Sequence, residues 1–141
     1  MLSKKTQYAL QALSYMVEKH TDDPILIAEI ARQKNIPIKF LENILLSLKK
    51  AGFLESKKGK NGGYFFAIAP ENIKLSSIFR IIEGPIALLP CVSLNFYEKC
   101  ADCNEKKCGI NKVMIEVRDN TLAILDKRTV ADLNYCPNYN N

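Results

Sequence analysis

"AEIARQKNIPIKFLENILLSLKKAGFLESKKGKNGGYFFA" runs from Ala28 to Ala67. Two periodic segments meet inside it at "NIP", Asn35–Pro37. The first, "ILIAEIARQKN" (Ile25–Asn35), begins extended and becomes a short helix with Ile27, Ile30 and Ala31 facing inward. In the second, Leu41, Ile44, Leu45 and Leu48 fall on one apolar helical face. Pro37 suits the first turn of that helix, where a missing N–H costs nothing. Gly52 suits a left-handed cap behind it, with Phe53 closing over the end. Two short helices around a tight turn form a helix-turn-helix. "FLESKKGKNGGYFFAIA" then reads strand, loop, strand; Asn61-Gly62 is a hairpin signal and Gly63 tolerates positive φ. A helix-turn-helix followed by a basic hairpin is a winged helix. The expected fold is therefore mainly α with a small β-wing.

The second helix turns Lys39, Glu42, Asn43, Ser47, Lys49 and Lys50 outward. The N-terminal part of such a recognition helix enters the major groove. Glu42 is suited to accept from a cytosine amino group and Asn43 to pair with an adenine edge. Lys57, Lys58 and Lys60 are placed to meet phosphates, with the N–H groups of Gly62 and Gly63 near them. Charge agrees with an anionic partner for this half. Residues 1–70 hold eleven Lys/Arg against six Asp/Glu, whereas residues 71–141 hold nine of each. "GKNGG" is no nucleotide site, because the G-x-x-x-x-G-K-[ST] pattern is absent.

Upstream, residues 3–19 read as a helix capped by Ser3. Leu10, Leu13, Met16 and Val17 share one face, with Tyr8 and Ala9 beside them. Lys4 and Lys5 before "YALQALSYMV" imitate a signal peptide, but Gln11 and Ser14 interrupt the apolar run and no small-residue cleavage site follows. No segment approaches membrane-spanning length. A cytoplasmic chain without a membrane partner is expected, and the lone His20 receives no role.

Downstream, "LSSIFRIIEG" is a helix ending at Gly84-Pro85. A long helix follows at 110–127. Ile110, Val113, Val117, Ile124 and Leu125, with Met114 and Thr121, form its apolar stripe. That stripe is expected to pair two copies of the chain, since a palindromic operator calls for paired protomers. "TVADL" adds a short helical turn capped by Thr129. The expected organisation is a DNA-binding domain at 1–84, a cysteine-rich sensor loop at 85–109, a dimerisation helix with a short terminal helix at 110–133, and a loose tail at 134–141.

These stretches together resemble the IscR/NsrR/CymR-type winged-helix regulators, the Rrf-two family. "TQYALQAL", "AEIARQKNIPIKFLENILLSLKKAGFLES", "GKNGGYFFA", "IIEGPIAL" and "TVADL" carry the resemblance, which covers nearly the entire chain. It implies a homodimeric bacterial transcription regulator bound to double-stranded operator DNA. It implies DNA contacts at Lys39, Phe40, Glu42 and Asn43, and on the wing from Lys58 through Lys60, Asn61, Gly62 and Gly63 to Tyr64. It makes 110–127 the dimerisation helix. In several branches three cysteines before that helix hold an iron–sulfur cluster. Cys91 and Cys108 match the first and last of these, and the middle one is Cys100 or Cys103. Some relatives place a histidine ligand three residues after the last cysteine; Asn111 stands there. Others take a carboxylate from the partner's first helix; Gln7 stands there. Some members take their signal from a protein partner.

"CVSLNFYEKCADCNEKKCGINK" (Cys91–Lys112) holds Cys91, Cys100, Cys103 and Cys108. In a reducing compartment such crowding points to metal or redox chemistry over structural disulfides. Four thiolates suffice for an iron–sulfur cluster, 2Fe–2S or 4Fe–4S, with no histidine. Lys99, Lys106 and Lys107 are expected to lower the thiol pKa values. Zinc is the rival, but Cys-four zinc sites usually show two CxxC pairs and only "CADC" is present. A reversible Cys100–Cys103 or Cys103–Cys108 disulfide is the third reading. An enzyme is not expected: "CADC" lacks a βαβ context, a single His excludes most triads, and there is no paired-carboxylate motif. Cys136 follows the last helix and is not expected to be a ligand, although it suits a thiol switch.

Overall fold

Ser3 starts the first helix, and its hydroxyl accepts from the Thr6 N–H at 3.2 Å. The computed structural model describes residues 1–134; of the expected tail, Asn134 belongs to a final 3₁₀ turn and residues 135–141, Cys136 among them, lie outside the described residues. Helix α1 (Lys4–Glu18) is followed by α2 (Ile27–Lys34) and α3 (Ile38–Lys50). Strands β1 (Leu54–Lys57) and β2 (Gly63–Phe66) make the wing, and α4 (Leu75–Ile82) and α5 (Gly109–Lys127) complete the helices.

The helix-turn-helix forms as its periodicity requires. Asn35 closes α2 in the left-handed region at φ 52°, and Ile36 drops into the core. Pro37 is the N-cap rather than the first helical residue. Leu41, Ile44, Leu45 and Leu48 are fully buried. Gly52, at φ 86°, donates to the Lys49 carbonyl while Phe53 donates to that of Leu48. That pair of bonds is a Schellman motif, and it satisfies two carbonyls the helix leaves without partners.

The wing pairs antiparallel from Leu54↔Phe66 to Lys57↔Gly63. Its reversal is not centred on Asn61-Gly62: residues 58–62 form the loop, and Gly59 takes the positive φ of 108°. Gly62 and Gly63 are needed for close approach instead. A Cβ on Gly62 would lie 2.2 Å from the Lys57 carbonyl oxygen, and one on Gly63 (φ 141°) would lie 2.1 Å from that of Ile25. The next residue, Tyr64, exchanges both backbone hydrogen bonds with Ile25, at 2.8 and 2.9 Å. Ile25 thus acts as a one-residue third strand that fixes the wing to the start of α2.

The core gathers Ala9, Ala12, Leu13 and Met16 of α1 with Ile30, the α3 face, Leu54, Ile73 and Ile78. The chain returns to this core after α5. The Leu75 N–H donates to Arg128 O and that of Val130 to Ile73 O, each at 2.9 Å, and Val130 is fully buried. Thr129 caps the final 3₁₀ turn, Val130–Asn134, with Asp132 accepting from its N–H at 2.8 Å.

Two polar ties lock α1 to its neighbours. The Tyr15 hydroxyl donates to Glu29 at 2.6 Å and Lys19 pairs with the same carboxylate at 3.0 Å, which together hold the Glu29 pKa down. Glu83, just past α4, accepts from the Thr6 and Ser3 hydroxyls and from the Ser3 N–H, so its carboxyl also sits below its ordinary range. Among the described residues no helix is long and apolar enough to cross a membrane.

Candidate nucleic-acid interface and thiol centre

On α3, Lys39, Glu42, Asn43, Lys49 and Lys50 are exposed on the face opposite the buried leucines, as the periodicity predicts. Phe40 is only half free, because its ring meets Tyr8 edge-on at 5.6 Å between centroids. The Ser47 hydroxyl turns back to the Asn43 carbonyl at 2.9 Å. Lys49 reaches across to Ser56 on the wing at 2.6 Å. Lys57, Lys58, Lys60 and Asn61 stand exposed along the hairpin. Tyr64 is half-buried where wing and α3 meet; burial, and then the charge of Glu42, push its hydroxyl pKa up. The Gly62 N–H is donated to Gly59 O at 3.0 Å, and Gly62 itself is buried. The close approach that glycine permits there is to the chain's own backbone.

The cysteine segment is organised differently. Between residues 85 and 127 only Val92, Ser93 and Asn111 are buried. A 3₁₀ turn, Pro90–Val92, carries Cys91; another, Glu105–Lys107, leads into Cys108, which is the N-cap of α5. Arg118, its side chain only 13% exposed, donates from Nη1 to the Val92 carbonyl at 2.7 Å. Asn111 touches two of the thiols. Its backbone N–H lies 3.4 Å from Cys108 Sγ and its side-chain Nδ2 lies 3.6 Å from Cys91 Sγ. The Tyr97 hydroxyl donates to Glu105 at 2.8 Å and closes the loop that carries Cys100 and Cys103.

Cys103 lies beside both Cys100 and Cys108. Its thiol is pushed up to about 12, first by its hydrogen bond with Cys100, then by desolvation, then by the Cys100 and Cys108 charges. The expectation that Lys99, Lys106 and Lys107 lower it is overturned, because adjacent sulfurs outweigh lysines that point to solvent. Cys91, Cys100, Cys103 and Cys108 are all free and half-buried. Asn111 links Cys91 with Cys108, and Cys103 interacts with Cys100 and Cys108, yet among the described residues no three His, Cys, Asp or Glu side chains stand at metal-holding geometry. The donor set still suits an iron–sulfur cluster: soft sulfurs from four positions, and no hard oxygen ligand among them. Nothing from Leu94 to Ile110 is buried, so few packing contacts resist closure of the thiols.

Ile110, Val113, Val117, Thr121 and Ile124 are exposed along one side of α5, with Ile110 at 66% and Ile124 at 63%. Met114 and Leu125 are half-buried and turn toward the body of the molecule. Leu125 lines a groove of about 370 Å³ with Leu2, Phe79 and Ile86, and Val117 and Thr121 form its edge.

The Rrf2 family model, described as iron-dependent transcriptional regulator, matches residues 2–135. The chain belongs to the Rrf2 family. An rrf2-like HTH-type transcriptional regulator of Rhodobacter capsulatus is 42% identical over 137 residues, 94% of this chain and 91% of the relative. The HTH-type regulator NsrR of Bacillus licheniformis is 28% identical and covers 94% and 90%. Among solved structures, CymR of B. subtilis, described as its global cysteine regulator, superposes with a TM-score of 0.77 at 29% identity, covering 95% of each chain. IscR of T. potens gives a TM-score of 0.72 at 27% identity, covering 94% of this chain and 85% of that one. This Rrf2 protein is thus a winged-helix transcription regulator related to IscR, NsrR and CymR, not an enzyme.

Periodicity and spacing missed Arg118, Glu83 and the Tyr97–Glu105 tie, whose partners lie 8 to 80 residues away in the chain. Asn111 attracted notice only for not being a histidine. Its position one helical turn from Cys108 was the available signal.

Proposed function

We propose that this Rrf2 regulator binds operator DNA as a homodimer and senses redox, nitric oxide or iron–sulfur status through a cluster held by Cys91, Cys108 and one or both of Cys100 and Cys103. The observation that carries the reading is the placement of Cys91 and Cys108 at the start of α5, with Asn111 between them and Cys103 interacting with Cys108 and Cys100. When bound, the cluster would supply a group that is lost on oxidation, nitrosylation or iron shortage. Cys108 caps α5 and Arg118 ties the Cys91 turn to it, so a change at the thiols reaches the helix directly. The exposed α5 stripe, with the groove beside it, is the surface for the second protomer. On DNA, Lys39, Lys57, Lys58 and Lys60 neutralise phosphates, while Glu42 and Asn43 face base edges. Phe40 is held at the α1–α3 junction by Tyr8 and lends its exposed edge to the same surface.

Anaerobic purification tests this. A brown protein with visible absorbance, iron and sulfide is expected, with different operator affinity before and after the cluster is stripped. Cys91→Ala and Cys108→Ala should each lose the chromophore; retention in both refutes the ligand assignment. A colourless protein with stoichiometric zinc would replace the cluster by zinc.

A thiol switch is the second reading, favoured by Cys103 lying beside both Cys100 and Cys108. The CymR relative from Staphylococcus aureus has been solved in an oxidized form. Diamide would take two electrons and two protons from one thiol pair to form the disulfide. Metal-free protein that changes operator affinity with diamide, reversibly with dithiothreitol, would select this reading.

A further inference from the structure

We propose that Asn111 is a positioning residue that holds Cys91 and Cys108 as a pair and donates N–H hydrogen bonds to both sulfurs. The placement is unusual for a helix. Asn111 is the sole buried residue of α5 and is 7% exposed. Helices normally bury aliphatic side chains; this one buries a primary amide against sulfur. Sulfur accepts weakly as a neutral thiol and more strongly as a thiolate. An amide buried there gains most when the sulfurs are anionic, as metal-bound thiolates are.

The local geometry explains how one residue reaches both thiols. Cys108 is the N-cap and Asn111 the third helical residue, so the Asn111 N–H at 3.4 Å is an N-capping bond with sulfur in place of oxygen. The side chain then extends to Cys91 Sγ at 3.6 Å, across twenty residues of sequence. Two turns further on, Arg118 holds the Val92 carbonyl and keeps the Cys91 turn from drifting away. Cys91 and Cys108 are therefore fixed to one helix, while Cys100 and Cys103 ride on a loop that buries nothing. A carboxamide oxygen is a hard donor poorly matched to iron–sulfur chemistry, so Asn111 acts on the ligands and not as one. The tuning part of this inference rests on the cluster reading above; the pairing part does not.

Asn111→Asp separates positioning from folding. It is isosteric, removes the side-chain donor to Cys91 while leaving the backbone N–H to Cys108, and places a carboxylate in the first turn of α5, where the helix dipole favours it. The first readout uses metal-free, reduced, full-length chain with Cys100, Cys103 and Cys136 changed to Ser. Excess dibromobimane either bridges Cys91 and Cys108 or labels each separately. The ratio of bridged to doubly labelled product reports thiol placement independently of thiol reactivity. We expect a ratio roughly three- to ten-fold lower in Asn111→Asp and Asn111→Leu, the worth of the one side-chain hydrogen bond they remove. Far-UV circular dichroism should be unchanged in Asn111→Asp. An unchanged ratio in both variants overturns the pairing. The second readout is the reduction potential of the anaerobically loaded protein, which should fall in Asn111→Asp and Asn111→Ala as sulfur loses its donor. Equal potentials overturn the tuning. A preparation without iron and sulfide fails the cluster reading and takes the tuning with it, while the bridging ratio still judges the pairing.

Discussion

The winged-helix core and the thiol-bearing half hold their shapes by different physics. In the core, Leu13, Ile30, Leu41, Leu45 and Leu48 are fully buried against one another. Between residues 85 and 127 the buried set shrinks to Val92, Ser93 and Asn111, and named hydrogen bonds replace apolar packing. The core is complete as a single chain. The second half leaves a stripe of large apolar side chains uncovered on α5 and four free thiols beside it.

The contrast breaks first where it is strongest. Leu45→Ala removes a fully buried side chain and should cost about 2–5 kcal/mol, read as a large fall in melting temperature. Val117→Glu should leave the core melt nearly unaltered but reduce self-association roughly a hundredfold, since each dimer would bury two charges. Light scattering would show a halved mass at micromolar chain; an unchanged mass would remove α5 as the pairing surface. Gly63→Ala sharpens the boundary of the core. Its Cβ meets the Ile25 carbonyl and its φ is 141°, so a loss of about 1–3 kcal/mol is expected, with faster amide exchange at Ile25 and Tyr64.

Subtler effects fall on the surface. Lys58→Ala should weaken binding several-fold on every DNA sequence and lower the salt slope by about one phosphate. A loss confined to one operator would contradict a phosphate role. Smallest is the acid response of Glu83. Its folded pKa lies below the unfolded value, so its contribution is complete above the ordinary carboxylate range and disappears as pH falls through the depressed value. Urea midpoints between pH 6 and pH 3 should decline less steeply in Glu83→Gln than in the parent chain. Equal slopes would show that the Ser3–Thr6–Glu83 tie carries no linkage.

What could be read in advance was local. The α3 face, the Ser3 cap and the Gly52 left-handed end follow from residues within four positions of one another. The α5 stripe is equally periodic, and its exposed members are the ones the spacing selects. Long-range pairings were not legible. Nothing near Ile25 announces its bond to Tyr64, and nothing near Thr129 announces that the chain rejoins Ile73 and Leu75. The wing shows the same limit: Asn61-Gly62 has turn chemistry, but the Lys57 and Ile25 carbonyls determine where glycine is required. At the thiols, counting cysteines singled out the segment, while lysine proximity in sequence misjudged Cys103, whose sulfur neighbours act more strongly on it.

The return of Val130 to the core has a mechanical consequence. Helix α5 is pinned at one end by the Ile73 and Leu75 backbone bonds and begins at the thiols at the other. Its nineteen residues make a rod of about 28 Å. Shifting the thiol end by about 2 Å turns such a rod by roughly 4° about its anchored end. That end is the pivot, and the 3₁₀ turn that follows it packs against α1, within the same body that presents α3 and the wing.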